Sequence, residues 1–266
     1  MEILIDEIWK ELKDSVSINE LVFLRKCFRA YSSRAHLANV VNDLKIIKKF
    51  TPPPKKILDF GCGIGIQAYL LANLGYSVFG LETTEDKSLN GFLKGRAEEH
   101  KKTRDESMRN VWRIIQRKTD VDFRFYDGMH IPFADGYFDI IFTYAVIEHI
   151  PPNELDNILS EIRRVLKDDG IFYIFQLPQR TSYTEFIARK LGMESHEYLW
   201  SYNSIKKLLN NSRFKITFFE KADMLINHPY KVINPLYPIL RIWNEFLLHT
   251  PLSKFAHHLT IVAKKI

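Results

Sequence analysis

An α/β fold built around a parallel sheet is predicted from three observations. The apolar run 56–60 ends in the glycine-rich stretch 61–65, and helical apolar spacing follows over 67–74. A second apolar run, 77–82, comes directly afterwards, and strand, helix and strand in this order are typical of parallel α/β units. Of the 266 residues, 46% are hydrophobic and 26% are charged. This composition indicates a folded globular chain and excludes disordered, collagen and coiled-coil classes.

The other elements are predicted from the spacing of apolar residues. Helices are expected over 1–56 and are stopped by the prolines at 52–54, and residues 84–118 predict one long helix or two. Further strands are expected at 121–126, 137–143, 170–176, 214–220 and 259–263, and further helices at 153–166, 201–209 and 235–248. Asn153 is the expected N-cap of its helix, and Gly170 is expected to close that helix.

Several classes of site and location are excluded by what the sequence contains. Cys27 and Cys62 cannot form a disulfide framework or a four-ligand zinc site, and they lie far from any His pair at metal-ligand spacing, so a reducing, cytoplasmic location is expected. The first residues are acidic and no apolar run approaches the roughly 20 residues of a membrane-spanning helix. We therefore expect neither a signal peptide nor a transmembrane segment.

The glycine-rich turn indicates a nucleotide or nucleoside ligand. Glycines after a strand let the backbone approach a ligand closely and adopt dihedral angles closed to other residues. The stretch 57–65 reads ILDFGCGIG, which differs from the dinucleotide pattern G-x-G-x-x-G in its third glycine and lacks the Gly-Lys-Ser/Thr ending of a phosphate-binding loop. A turn that serves packing alone is the alternative.

The same stretch resembles the first motif of the class I S-adenosylmethionine-dependent methyltransferases, of the small-molecule, type 11-like kind. Three later stretches resemble the following motifs of that family in order: Glu82, the segment 126–141 and the segment 166–171. The resemblance covers roughly residues 55–177. It implies a Rossmann-like fold with a seven-stranded, mostly parallel sheet, a methyltransferase domain over 55–266 with a helical insertion at about 84–118, and an N-terminal helical cap over 1–54.

The resemblance also implies S-adenosylmethionine as cofactor and S-adenosylhomocysteine as product. Glu82 matches the acid that holds the ribose hydroxyls, and Asp127 would accept a hydrogen bond from the adenine amino group. Asp59 would bind the methionine ammonium or brace the loop. The residues implied in cofactor binding are Asp59, Gly61, Cys62, Gly63, Gly65, Glu82, Thr83, Asp127, Gly128, Met129 and Tyr144. Ordinary turn-forming and strand-end roles are the alternatives for Asp127 and Glu82.

His149 is the candidate general base. It follows the fourth predicted strand, and an unperturbed imidazole titrates near neutral pH. A structural histidine is the alternative. The segment 145–149 resembles the Glu-x-x-Glu-His pattern with which some O-methyltransferases bind a divalent cation, but Ala145 replaces the first Glu. We therefore predict no metal site.

The acceptor is expected to lie near residues 28–36, 178–183 and 194–202. The candidate contact residues are Tyr31, Arg34, His36, Arg180, His196 and Trp200. The apolar side of the helix 235–248 predicts core packing or a homodimer face, with peripheral contact to a membrane surface as the alternative.

The net charge of +6 is unevenly distributed. Segments 57–93 and 119–170, which carry the cofactor motifs, sum to −10, and the remainder sums to +16. An acidic core in a basic surround favours an anionic small-molecule acceptor, and a solvated basic helix is the alternative.

The sequence predicts methyl transfer to a small molecule, most of all to an oxygen of a quinone-type, glycan or lipid-linked acceptor. An RNA or protein methyltransferase and a non-catalytic cofactor-binding protein remain alternatives. Binding to nucleic acid is disfavoured because no Asn/Asp-Pro-Pro-Tyr type sequence follows the fourth strand.

Overall fold

The computed structural model describes residues 1–84, 98–193, 195–225 and 230–266, with the backbone alone at 98–102 and 230. The chain divides into two compact units, Met1–Pro132 and Phe133–Ile266. The elements of the first unit are α1 (Glu2–Leu12), α2 (Ile18–Tyr31), α3 (Arg34–Phe50), β1 (Lys56–Phe60), α4 (Ile66–Asn73), β2 (Ser77–Thr83), α5 (Glu98–Lys118) and β3 (Asp122–Tyr126). The domain boundary expected at residue 54 stays a prediction.

The second unit continues the alternation of strands and helices. Its elements are β4 (Phe138–Tyr144), α6 (Pro152–Val165), β5 (Leu166–Pro178), α7 (Tyr183–Lys190), α8 (Tyr202–Asn211), β6 (Phe214–Ala222), α9 (Tyr230–Leu248) and β7 (His258–Lys265). Two short 3₁₀ helices, Ile147–His149 and Pro251–Phe255, lie between these elements.

The strands form a seven-stranded sheet in the order β3-β2-β1-β4-β5-β7-β6. In the first unit, β2 pairs in parallel with both β1 and β3. In the second unit, β4 and β5 are parallel, whereas β7 is antiparallel to both β5 and β6. The Rossmann-like fold expected from the sequence is confirmed, as a mixed sheet with flanking helices.

The N-terminal helices are positioned by caps and by contacts with α5. Ser17 and Glu20 form a reciprocal capping box at the start of α2, which satisfies two backbone N–H groups. The other carboxylate oxygen of Glu20 accepts a hydrogen bond from Asn110 on α5 at 2.6 Å. Helices α1 and α2 both pack against α5. The long helix after β2 is therefore fixed within the first unit by the N-terminal helices.

Two predicted boundaries of α6 are wrong. The helix starts at Pro152 with Pro151 as its cap, rather than at Asn153, because a proline suits the first helical position, where its missing N–H costs no bond. The helix ends at Val165, and Gly170 lies inside β5. A Cβ on Gly170 would lie 2.7 Å from Cγ of the buried Leu166, so close packing explains this glycine better than a helix exit.

Other helices also differ from the predicted ones, either in where they begin or in how many there are. Helix α9 begins at Tyr230 and continues through Pro235 and Pro238, so the expected start at residue 235 is wrong. Each proline removes one backbone donor from the helix without preventing a helical turn on its N-terminal side. Helix α7 was not predicted. Of the insertion 84–118, the segment 98–118 is one helix, and residues 85–97 lie outside the described residues.

Candidate active site

Three strand ends bring the predicted cofactor residues of the first unit to one edge of the sheet. The glycine turn follows Phe60 at the end of β1, Glu82 and Thr83 end β2, and Asp127 follows β3. Because these strands are parallel and adjacent, their carboxyl ends meet at the same edge. In open α/β sheets, ligands bind outside this edge.

The glycine turn combines left-handed backbone with limited space. Gly65 has a φ of 84° and caps α4, and a Cβ there would lie 2.5 Å from the Phe123 ring. Gly63 also has positive φ, at 51°, but its nearest neighbour would be the Tyr31 hydroxyl at 3.9 Å. Gly65 is therefore required by packing, whereas Gly63 leaves open backbone for a ligand to approach.

Glu82 is joined to the glycine turn. Its Oε2 accepts a hydrogen bond from the Gly63 amide at 2.8 Å, and its Oε1 accepts one from the Thr83 amide at 3.0 Å. The side chain is largely buried, with 12% exposure. The carboxylate is held at the end of β2 in a fixed orientation, next to the backbone of the turn.

Asp59 is a buried acid with an oxygen that lacks a partner. Its Oδ2 accepts no hydrogen bond from the described residues, and the side chain is 1% exposed. Burial raises the pKa of this carboxyl well above its usual value, and the nearby Glu82 raises it further, while the Ala68 amide opposes the shift. An unpartnered buried acid beside a glycine turn fits a cationic ligand group such as an ammonium.

Two side chains of α5, neither of which the sequence predicts as a cofactor contact, complete this edge. Arg104 forms an ion pair with Glu82 at 3.2 Å and donates to the Thr83 carbonyl at 3.3 Å. The indole of Trp112 donates from Nε1 to the Gly63 carbonyl at 2.9 Å. The apolar spacing over 84–118 predicts a helix and carries no signal for either polar contact.

Asp127 braces the turn after β3. Its Oδ1 accepts hydrogen bonds from the amides of Met129 and His130 at 2.8 and 2.9 Å, and these bonds lower the pKa of the carboxyl. Gly128 has a φ of 79°, and Met129 is exposed. The turn-forming role is thus present in the structure, and the contact with adenine stays a prediction that would use Oδ2.

Among the acceptor candidates of the first unit, Tyr31 lies next to the glycine turn. Its hydroxyl faces Gly63, and burial raises the pKa of the phenol. The ring packs edge-on against His36 at a centroid distance of 4.9 Å, while Arg34 begins α3. Tyr31 is the candidate of this group that the structure brings closest to the predicted cofactor residues.

In the second unit, the chain turns sharply at the end of β4. Tyr144 ends the strand, and Ala145 has a φ of 53°, an uncommon conformation for a residue with a Cβ. The amide of Ala145 donates to the Phe175 carbonyl of β5 at 3.1 Å, which holds this turn in place. The short 3₁₀ helix that carries Glu148 and His149 follows directly.

His149 is a largely buried imidazole. Burial lowers its pKa to about 4, and the nearby His196 acts in the same direction. Its Nδ1 is buried and makes no hydrogen bond to the described residues. The neighbouring Glu148 is fully buried, and its pKa is raised by burial to about 7. At neutral pH His149 is uncharged, and the lowered pKa makes it a weaker base than a free imidazole.

The acceptor candidates of the second unit lie in two segments that pair with each other. Gln179 and Trp200 form a parallel bridge, and the Arg180 amide donates to the Trp200 carbonyl at 2.8 Å. His196 lies in the second segment, and its ring centroid is 6.0 Å from that of His149. Residue 194 of this segment lies outside the described residues.

The basic side chains of the insertion that the structure describes, from residue 103 onward, have partners. Arg104 contacts Glu82, Arg113 lies 3.4 Å from Glu106, and Arg117 forms an ion pair with Glu11 of α1. Arg109 stacks over the Phe125 ring at 4.5 Å. The side chains of residues 98–102, which include two lysines, are outside the description. The anionic acceptor stays a prediction.

One apolar face of α9 is exposed, so core packing of this face is not observed. The exposed side chains are Val232, Leu236, Ile239, Ile242, Trp243 and Phe246. Exposed apolar patches of this kind mark interaction surfaces. Within the described ranges, the hydropathy of every helix falls short of what a bilayer-spanning segment requires.

Comparison with known proteins places the chain among methyltransferases. A family model described as a methyltransferase domain matches residues 58–174. Sterol 24-C-methyltransferase of Gibberella zeae is 32% identical over 125 residues, which are 47% of this chain and 28% of that protein. A ubiquinone biosynthesis O-methyltransferase of Pelagibacter ubique is 26% identical over 168 residues, 60% of this chain and 61% of that protein. The chain thus spans less than two thirds of both relatives.

The fold is shared with solved structures as well. The PH0226 protein of Pyrococcus horikoshii superposes with a TM-score of 0.58 at 18% identity, over 88% of this chain and 92% of that one. The matched segment 58–174 contains the glycine turn, Glu82, Asp127 and His149. Residues 58–174 therefore form a methyltransferase domain that is similar to those of the class I S-adenosylmethionine-dependent methyltransferases, a family whose cofactor is S-adenosylmethionine.

Proposed function

We propose that the protein transfers the methyl group of S-adenosylmethionine to an oxygen of a small-molecule acceptor, of the quinone-type, glycan or lipid-linked class. The observation that carries the choice of oxygen is His149, a buried imidazole that stays uncharged at neutral pH and whose Nδ1 is unpartnered among the described residues. A hydroxyl acceptor must lose a proton during methyl transfer, and a neutral imidazole can take it.

The residues of the first unit fit the cofactor. Asp59 offers a buried oxygen without a partner to the methionine ammonium, and Glu82 offers a fixed carboxylate to the ribose hydroxyls. The open backbone at Gly63 allows close approach of the ligand. When bound, S-adenosylmethionine supplies an electrophilic methyl group on a sulfonium. Asp127, Gly128 and Met129 complete the proposed cofactor contacts of this unit, and Tyr144 of the second unit is proposed as a further contact.

The names of two relatives support an oxygen or a carbon acceptor. One is named as a ubiquinone biosynthesis O-methyltransferase and another as a sterol 24-C-methyltransferase. The candidate base His149 lies beside His196 in the described part of this chain. A base favours an oxygen acceptor, as in the name of the first relative.

We also infer that the exposed face of α9 contacts a membrane surface, where a lipid-linked acceptor would be found. The face carries Trp243 and Phe246 and is flanked by Arg241. The 3₁₀ helix Pro251–Phe255 packs against α9 and adds Lys254 and the exposed Phe255. Aromatic and aliphatic residues beside basic ones are typical of helices that lie on anionic membranes.

The test begins with cofactor binding. Calorimetry on folded protein should show one S-adenosylmethionine per chain, and Glu82→Ala and Asp127→Ala should abolish or strongly weaken it. Asp122→Asn is the matched control, because this acid begins the strand that Asp127 follows and pairs with Arg124 instead. A wild-type protein that binds no cofactor at millimolar concentration would overturn the proposal.

The acceptor atom is tested by product analysis. The protein is incubated with labelled S-adenosylmethionine and matched phenols, catechols, sugars and anilines, and the methylated atom is identified by mass spectrometry and NMR. Label on oxygen supports the proposal. Label found on nitrogen or carbon alone contradicts the choice of oxygen and leaves the cofactor assignment standing.

A further inference from the structure

We propose that Glu185, His196 and His257 of the second unit form a binding site for a divalent transition-metal ion of the zinc type. One ligand atom from each of the three lies within 4.8 Å of the others. Glu185 Oε1 lies 2.7 Å from His196 Nδ1 and 3.8 Å from His257 Nε2. Neighbouring ligand atoms in a tetrahedral zinc site are about 3.3 Å apart, so small adjustments bring all three to one ion.

The sequence separates these residues and the fold joins them. Glu185 lies in the first turn of α7, where the Ser182 hydroxyl caps its amide at 3.2 Å. His196 lies in the segment between α7 and α8, and its amide donates to Glu185 Oε2 at 3.0 Å. His257 directly precedes β7. Each ligand is thus fixed by backbone or capping contacts.

The other nitrogen of each imidazole faces a partner that suits a metal-bound histidine. His257 Nδ1 lies 2.9 Å from the Ser182 hydroxyl and also contacts the Thr184 hydroxyl. His196 Nε2 lies 4.0 Å from Oε1 of the buried Glu148. A metal-bound histidine usually donates its second ring N–H to a carboxylate or another acceptor, which fixes its orientation. His257 has such a group in place, whereas the Glu148 carboxylate lies close to His196 Nε2 but beyond hydrogen-bond distance.

The ligand types select the ion. Two imidazoles and one carboxylate are typical of zinc and related first-row ions, whereas magnesium and calcium prefer oxygen ligands alone. The Glu185 side chain is 5% exposed, and those of His196 and His257 are 27% and 19% exposed, so an ion can enter from solvent. Three protein ligands leave a fourth position open.

This site differs from the Glu-x-x-Glu-His pattern, whose first position is Ala145. Its position gives it a role in the proposed reaction, because the His196 ring lies 6.0 Å from that of His149. The open coordination position would hold an acceptor through the oxygen of a deprotonated hydroxyl group or of a carboxylate. This role rests on the proposed function, whereas binding of the metal does not.

The test uses tag-free, chelator-treated protein. Titration with Co²⁺ should saturate at one equivalent and give the strong visible absorption bands of a four- or five-coordinate ion, and Zn²⁺ should displace it. His257→Gln and Glu185→Gln should each weaken Co²⁺ affinity at least tenfold. His249→Gln is the matched control, because His249 is exposed at the end of α9 and bonds the Glu245 carbonyl.

The metal titration contains neither cofactor nor acceptor, so its result does not depend on whether the proposed function is correct. Zn²⁺ should also raise the Tm of the wild type and leave that of His257→Gln unchanged. Because each protein is compared with itself, this shift in Tm separates loss of the metal site from impaired folding. A wild type that binds no Co²⁺ at 100-micromolar-scale concentrations, or a His257→Gln variant of equal affinity, overturns the metal site. Loss of S-adenosylmethionine binding with Co²⁺ binding intact would overturn the proposed function alone.

Discussion

The guanidinium of Arg104 lies 3.2 Å from the carboxylate of Glu82, so a helix that follows β2 contacts the acid that ends β2. Both side chains are 12% exposed, which shields the pair from solvent. Arg104 thereby orients the carboxylate that is proposed to hold the cofactor ribose. Charge neutralisation on this helix is therefore expected to alter cofactor binding as well as any contact with an acceptor.

Arg104→Gln is expected to weaken S-adenosylmethionine binding about tenfold, or ~1.4 kcal/mol, because Glu82 loses its ion pair. Calorimetry measures the change in Kd. Arg113→Gln serves as the control, since Arg113 is exposed on the same helix and pairs with Glu106. Equal Kd values for the wild type and Arg104→Gln would show that the ion pair has no part in binding.

In the absence of cofactor, the Asp59→Asn variant is expected to be more stable than the wild type, and this difference should grow as the pH rises. The folded state keeps the proton on Asp59 at pH values where the unfolded chain, with a pKa near 3.8, has lost it. The folded state therefore binds more protons, and the free energy of unfolding falls with increasing pH. The variant removes this loss, so its Tm advantage over the wild type should be larger at pH 8 than at pH 5.

The same substitution should weaken binding of S-adenosylmethionine, because Asp59 can release its proton and become a carboxylate when the ammonium binds, whereas an amide cannot. Gain of stability together with loss of affinity is the expected signature of a binding residue. An unchanged Tm difference between pH 5 and pH 8 would argue against a buried, protonated Asp59.

His149→Ala is expected to lower kcat by about 100-fold or more for a hydroxyl acceptor, with the Kd for S-adenosylmethionine unchanged. Because the pKa of His149 is lowered to about 4, the imidazole is a neutral base above that pH. The wild-type kcat should therefore rise through pH 4 and show no limb from this group near 6.5. Steady-state rates from pH 4 to 8 measure both effects, with His249→Ala as the control.

Gly65→Ala is expected to destabilise the protein by ~2–4 kcal/mol, from the left-handed backbone and from overlap with the Phe123 ring. Gly136→Ala shares the positive φ but meets nothing within 4 Å, so a smaller cost of ~1 kcal/mol is expected. Urea unfolding of both variants separates backbone strain from overlap. Equal destabilisation would mean that the Phe123 ring moves aside freely.

Trp243→Ser is expected to reduce binding to vesicles that contain anionic phosphatidylglycerol, because Trp243 belongs to the exposed apolar face of α9. Cosedimentation gives the bound fraction. Ile3→Ser on α1 removes another exposed apolar side chain, outside α9, and should have no effect. A wild type that ignores vesicles and forms a dimer disrupted by Trp243→Ser would instead assign this face to a second copy of the chain.

The parts of the fold that the sequence predicted best are local in the chain. The strand Lys56–Phe60 and the turn that follows it are contiguous, and the glycines report their own backbone requirements. The prediction that Gly170 closes a helix was wrong. A Cβ at this position would overlap the Leu166 side chain, and a local pattern of helix ends does not contain that contact.

The rest of the candidate site depends on tertiary contacts. Trp112 reaches the Gly63 carbonyl from a position 49 residues later, and its helical spacing signals burial alone. His257 comes within 3.8 Å of Glu185 across 72 residues of sequence. Neither contact can be predicted from the spacing of residues in the sequence. The packing of the intervening elements determines where these side chains meet.

The placement of the two cysteines has a practical consequence for labelling. The Cys62 side chain is buried in the glycine turn, and burial raises the pKa of its thiol, so it is a poor nucleophile at neutral pH. Cys27 is partly exposed on α2. A maleimide dye at low excess should therefore attach to Cys27 alone, giving a native protein with a fluorophore one turn from Tyr31, without any engineered substitution.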